Sequence, residues 1–91
     1  MNYSLAITAR AKKDILNLPK ADAVRITKKL RFFISSPDPL HHAKPLTNTD
    51  VAEYRFRVGD YRILFDVDSK GNITILTILT IQHRKDVYRG I

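Results

Sequence analysis

The run "EYRFRVGDYRILFDV", Glu53 to Val67, decides how this chain folds, because it sets two alternating segments on either side of Gly59-Asp60. A two-residue loop with glycine first suits a type II′ turn, since glycine takes φ > 0 at the first central position without steric cost. That turn predicts a register in which Val58 faces Tyr61, Phe56 faces Ile63 and Tyr54 faces Phe65, three apolar pairs on one face. On the opposite face Arg57 then lies across from Arg62, Arg55 from Leu64 and Glu53 from Asp66. Like charges meet twice, and each such pair destabilises a sheet by up to something like ~0.2 to 1 kcal/mol before solvent screening. Two readings stay open. Either the arginines converge on an anion, whose phosphate-like oxygens suit the planar guanidinium fork, or each pairs with a carboxylate elsewhere or extends into solvent.

Further strand signals flank this hairpin. Ile73 to Ile81 is apolar on both faces and is expected to be a central strand, paired on both edges and covered, joined to Tyr61–Val67 through "DSKGN" as a second antiparallel hairpin. At the N-terminus, Tyr3, Leu5 and Ile7 alternate with Ser4, Ala6 and Thr8, the period of two of a strand with unequal faces. Thr8 is placed to cap a helix in which Ala11, Ile15 and Leu18 recur at helical spacing until Pro19 breaks it. Ala23, Ile26, Leu30, Phe33 and Ile34 form a second helical stripe that ends at "SSPDP". From Pro37 to Val51 the composition predicts mostly loop, with a short extended piece at Lys44 to Leu46.

The 91 residues carry no Pro/Gly/Ser-rich linker, so residues 1–91 are read as a single domain with one small core. Sixteen Lys and Arg against nine Asp and Glu give a net charge of +7, which favours a polyanion or an acidic protein as partner. Most of the excess sits in the first forty residues. "RITKKLR" is read either as a solvated helix face or, through Lys28, Lys29 and Arg31, as a nucleic-acid contact serving ribosome or operator binding. With no cysteine there is neither a disulfide framework nor a Cys-based metal site, and a reducing cytoplasm is the simplest setting. No signal peptide is recognisable, and the longest apolar run falls well short of the ~20 residues of a membrane span, so a soluble protein is expected.

"QHRKDVYRG" adds His83, Arg84 and Tyr88 after the last strand. In a plain meander the end of that strand arrives near the start of Tyr61–Val67, so His83 and Arg84 are expected to approach the arginine cluster. A histidine titrating near neutrality, phosphate-binding arginines and a phenol together suit acid–base cleavage of RNA, in which the 2′-hydroxyl attacks its own phosphodiester. That chemistry requires no metal or cofactor, and none is expected. His41 and His42 sit in a Pro-flanked loop without ligands at zinc spacing.

"YRFRVGDYRILFDVD", the long apolar strand and "IQHRKDVY" resemble the RelE/ParE superfamily of bacterial and archaeal toxins. "AKKDILNLPK", the basic second helix and "KPL" before the hairpin look like its RelE branch. The resemblance covers nearly the whole chain. It implies an α+β fold of the RelE-like type: an N-terminal strand, a helical hairpin packed on an antiparallel sheet and a short C-terminal segment. It also implies the toxin of a type II toxin–antitoxin system, acting as a ribosome-dependent mRNA interferase that leaves a 2′,3′-cyclic phosphate and a 5′-hydroxyl. By position, Arg55 and Arg57 match the basic residues of the catalytic strand, and Arg62 and Arg84 would bind the scissile phosphate. Tyr88 would orient or stack on a base. Some members carry Lys where this chain has Arg55 and Arg57, and a guanidinium does not accept a proton at neutral pH. His83 is then the candidate general base, Arg55 and Arg57 stabilise developing charge, and the general acid is unassigned. The implied partners are a cognate antitoxin, the ribosome and its mRNA, and operator DNA through the toxin–antitoxin complex. Alternatives are a ParE-like gyrase inhibitor without nuclease activity, and a non-catalytic basic binding or repressor module.

Overall fold

The fold is taken from a computed structural model that describes residues 2–47 and 50–84. Five strands and two α-helices follow one another as β1 (Asn2–Ile7), α1 (Ala9–Leu16), α2 (Lys20–Ser35), β2 (Lys44–Pro45), β3 (Tyr54–Val58), β4 (Tyr61–Lys70) and β5 (Ile73–His83). One turn of 3-10 helix, Pro39–His42, sits in the segment expected to be loop, and the short extended piece is β2. The sheet order is β1-β5-β4-β3-β2. Its pairings are antiparallel except that β1 runs parallel to β5. The helical hairpin therefore packs on a mostly antiparallel sheet rather than a purely antiparallel one, because the chain returns to β1 only after both helices and three strands, a crossover that sets β1 and β5 in the same direction.

The hairpin register follows from the turn. Tyr54 pairs with Phe65, Arg55 with Leu64, Phe56 with Ile63, Arg57 with Arg62 and Val58 with Tyr61. Gly59 takes φ +58°, the conformation a primed turn needs at its first central position. The second hairpin repeats the device: β4 runs on through Asp68, Ser69 and Lys70, and the turn shrinks to Gly71-Asn72 with Gly71 at φ +59°. Thr8 caps α1, its hydroxyl accepting from the Ala11 N–H at 3.1 Å. Pro19 stands at the N-cap of α2, where its missing N–H costs little.

Ala11, Ile26, Leu30 and Phe33 from the helices and Phe56, Val58, Ile63, Phe65, Leu76, Ile78 and Ile81 from the sheet form one buried core, with Phe56 stacked between Phe33 and Phe65 at 4.4 Å. Both helices lie on that one face. β5 is paired on both edges from Ile73 to Ile78, but among the described residues the helices cover it on one side only, and Ile75 and Leu79 on the other are half-buried.

β1 ends level with Ile78, which leaves the last part of β5 without a strand on that edge. Helix α1 takes its place. The Thr8 hydroxyl donates to the Leu79 carbonyl at 3.0 Å, and Asp14 Oδ2 accepts from the Thr80 hydroxyl at 2.8 Å and from the Ile81 N–H at 3.0 Å. A side-chain carboxylate thus satisfies a backbone donor that the sheet leaves open.

Between Leu64 and Phe65 the β4–β5 ladder slips by one residue: Phe65 pairs with Ile78, but Leu64 pairs with Thr80. Leu79 is the extra residue of a β-bulge. Because side chains alternate with period two, one inserted residue exchanges the faces of everything beyond it. Ile81 enters the core opposite Ile63, Gln82 joins Arg62 on the outer face, and His83 pairs with Tyr61 on the helix face.

Candidate functional site

Strand alternation on β3 and β4, with the helices of the described residues on one side only, leaves Arg55, Arg57 and Arg62 together on the other, open face of the sheet. Arg57 and Arg62 are directly opposed, as the turn predicts. Among the described residues the ion pair formed is Arg10–Asp14 on α1, at 3.9 Å, and none involves these three arginines. Burial first, then the charges of Arg62 and Arg57, hold the Arg55 guanidinium below its ordinary pKa. Three cations therefore act on one another across this surface, and Leu64, directly across from Arg55, is 4% exposed beside them. Arg57 is exposed and Arg55 and Arg62 are half-buried beside this apolar floor, so water screens their repulsion and their attraction for an anion only in part.

The second like-charge pair resolves differently. Asp66 Oδ1 accepts from the Glu53 N–H and Glu53 Oε1 accepts from the Val67 N–H, both at 2.9 Å. Asp66 thus holds the backbone of Glu53, and Glu53 that of Val67, at the far end of the hairpin.

Two residues belong to this face that sequence reasoning did not assign to it. Lys44 on β2 lies directly across from Arg55, and Gln82 on β5 lies directly across from Arg62. Nothing local in the sequence marks Gln82, because its face depends on the bulge at Leu79. The alternation signal in β2 is too short to show which way Lys44 points.

His83 arrives beside Arg62 along the strand, as expected, but on the other face of the sheet. Its ring stands edge-on to Tyr61, with centroids 5.0 Å apart. The meander order that brings it close to Arg62 is present, but the bulge turns its side chain away from the arginine cluster. Arg84 is exposed just beyond β5, and its N–H donates to the Asp60 carbonyl at 2.7 Å, which ties the strand's end to the hairpin turn. Tyr88 lies outside the described residues. Lys28, Lys29 and Arg31 are exposed on α2, in the layer behind the sheet from the arginines, with the Lys29 ammonium 5.5 Å from the Phe32 ring centroid.

On the helix side of the turn a second polar group holds the hairpin to α2. The Tyr61 hydroxyl donates to Asp22 Oδ2 at 2.7 Å, and the Arg25 guanidinium packs onto Gly59. That hydrogen bond, then burial and the charge of Asp22, raise the Tyr61 pKa above its ordinary value, against the opposing charge of Arg25. The ring of His42 stacks on Phe33 at 5.1 Å, so this histidine serves packing. No helix among the described residues is long and apolar enough to cross a membrane.

A family model described as the ParE toxin of type II toxin-antitoxin system, parDE, matches residues 5–88. Toxin RelG of Mycobacterium tuberculosis (strain ATCC 25618 / H37Rv) is 32% identical over 89 residues, which are 98% of this chain and 99% of that protein. The toxin–antitoxin complex RelBE2 from Mycobacterium tuberculosis contains a chain that aligns with a TM-score of 0.71 and 27% identity over 92% of this chain and 100% of its own. The archaeal RelE-RelB complex from Pyrococcus horikoshii OT3 gives 0.65 and 26% over 92% and 97%.

Proposed function

The chain belongs to the RelE/ParE family of type II toxin–antitoxin toxins, and on that premise we propose that it is a ribosome-dependent endoribonuclease that cleaves mRNA through 2′-hydroxyl attack. The observation that carries this reading is the open face of the sheet, where Arg55, Arg57 and Arg62 stand together without a carboxylate partner among the described residues. A phosphodiester placed there offsets the repulsion between Arg57 and Arg62. As the 2′-oxygen bonds to phosphorus, negative charge grows on the phosphoryl oxygens, and preorganised guanidiniums stabilise it most at that moment. Arg84, exposed just beyond the end of β5, and Tyr88 contribute to substrate contact, and Lys28, Lys29 and Arg31 contact ribosomal RNA from the helix layer. His83 stands beside Tyr61 on the other face of the sheet, so the general-base role expected of it is not carried into this reading. The cationic surface also fits an acidic cognate antitoxin, whose binding is fast and salt-sensitive.

Toeprinting on translating ribosomes tests the proposal. Wild-type protein should yield new RNA 5′ ends, and Arg62→Ala should lower their yield by about 100-fold while the variant still folds, as removal of a comparable charge-stabilising donor does. Identical uncut messages with both proteins would sink the interferase reading. The family model is described as a ParE toxin, which favours gyrase inhibition as the second reading. Gyrase-linked DNA cleavage complexes on expression, with messages intact, would establish that one instead.

A further inference from the structure

We propose that Lys44 donates the proton to the departing 5′-oxygen, an inference that rests on the RNA-cleaving reading and supplies its missing acid. Lys44 pairs directly with Arg55 in the β2–β3 ladder, so the two side chains share the open face of the sheet. The residue before a proline is confined to extended backbone, and Pro45 therefore holds Lys44 in the strand conformation that points it there. As an edge-strand residue it is exposed and meets substrate without moving the core.

The chemistry of the face selects it. Guanidiniums do not release a proton near neutrality, so Arg55, Arg57 and Arg62 bind charge without transferring protons. The Gln82 amide does not titrate. Asp66 lies beyond Leu64 at the end of the hairpin away from Arg57 and Arg62, and His83 pairs with Tyr61 on the other face. Among the described residues of this surface, the Lys44 ammonium is the group able to give a proton to an alkoxide.

In the step itself, the 2′-oxygen forms a bond to phosphorus while its proton passes to water. The P–O5′ bond breaks, and its electron pair takes a proton from Lys44 Nζ, giving the 5′-hydroxyl and the 2′,3′-cyclic phosphate. The neutral amine then regains a proton from water. Loss of the lysine proton also removes one positive charge from a surface that carries three others.

The experiment compares two ribosome-bound messages, identical except that one carries sulfur in place of the bridging 5′-oxygen at the mapped cleavage position. A thiolate leaves without a proton, so it bypasses the need for an acid. Lys44→Ala and Lys44→Arg should each cleave the oxygen message about 100-fold or more slowly than wild type, in line with general-acid contributions. Both should approach the wild-type rate on the sulfur message, with unfolding midpoints no lower than that of wild type. An equal loss on both messages would make Lys44 a phosphate contact only and overturn the assignment, as would Lys44→Arg matching wild type on oxygen. Wild-type protein that cuts neither message would overturn the cleavage reading and this assignment with it.

Discussion

Replacing Arg57 by glutamine should make the protein more stable and less able to hold an anion. Arg57 and Arg62 are directly opposed, and Arg55 sits on the same face. Two unit charges about 6 Å apart in water repel by about 0.7 kcal/mol, which lies inside the range of ~0.2 to 1 kcal/mol for opposed residues on a sheet. Arg57 is exposed, so part of this is screened, and a gain of about 0.5 kcal/mol is expected at low salt. For a domain of this size that corresponds to a rise in Tm of about 2 to 4 °C. Thermal and urea unfolding in ~0.01 M salt, where the Debye length is about 30 Å, should show the full gain, and in ~1 M salt, where it is about 3 Å, almost none. Added sulfate should raise the Tm of wild type more than that of Arg57→Gln, because binding to the native state stabilises it. A variant that is no more stable than wild type at low salt, or whose gain ignores salt, would refute the claim that the two arginines repel without a carboxylate partner.

Three further predictions concern the scaffold that presents this face. Gly59→Ala should destabilise by about 1 to 2 kcal/mol from its φ of +58° alone, with an additional loss from displacing the Arg25 guanidinium. A double-mutant cycle with Arg25→Ala should recover only that additional part, read from urea midpoints. Asp14→Ala should cost about 1 to 3 kcal/mol, because it leaves the Ile81 N–H and the Thr80 hydroxyl, both on buried residues at the strand-free edge of β5, without their acceptor. Hydrogen exchange at Ile81 should accelerate in the same variant. The Tyr61 pKa is raised in the folded state, so the phenol's contribution is full below pH 10 and is lost as pH climbs through the folded pKa. Wild type should therefore lose stability above pH 10 relative to Tyr61→Phe, and parallel stability curves from pH 8 to 11 would count against the Tyr61–Asp22 hydrogen bond.

Much of this architecture is legible in the sequence where one local rule dominates. Gly59-Asp60 sets the β3–β4 pairing to the residue, and the Ala11–Ile15–Leu18 and Ile26–Leu30–Phe33 stripes name the helix faces that meet the core. What stays hidden depends on contacts between distant segments. Parallel pairing of β1 with β5 has no turn to announce it. Asp14 reads as an ordinary surface charge on a basic helix, and its role exists only because β1 ends at Ile7, level with Ile78, and leaves two groups of β5 to be satisfied from the side. Lys44 sits in a strand of two residues, too short for alternation to reveal its face.

The bulge at Leu79 carries the largest consequence for function. Without it, continuing the Lys70↔Ile73 register would put Ile81 on the arginine face and send Gln82 toward the helices. That arrangement expels a large aliphatic side chain from the core and buries an amide, each a cost of a kilocalorie or more in order of magnitude. The hydrophobic demand of Ile81 therefore selects the bulge, and the bulge in turn places a neutral amide beside Arg62 and turns His83 toward Tyr61. The same slip explains why a histidine that looks catalytic by proximity along the strand lands behind the sheet. It also shifts the search for proton transfer to the β2 edge, where Lys44 faces Arg55. A packing requirement at one core position thus decides which titratable group the arginine surface contains.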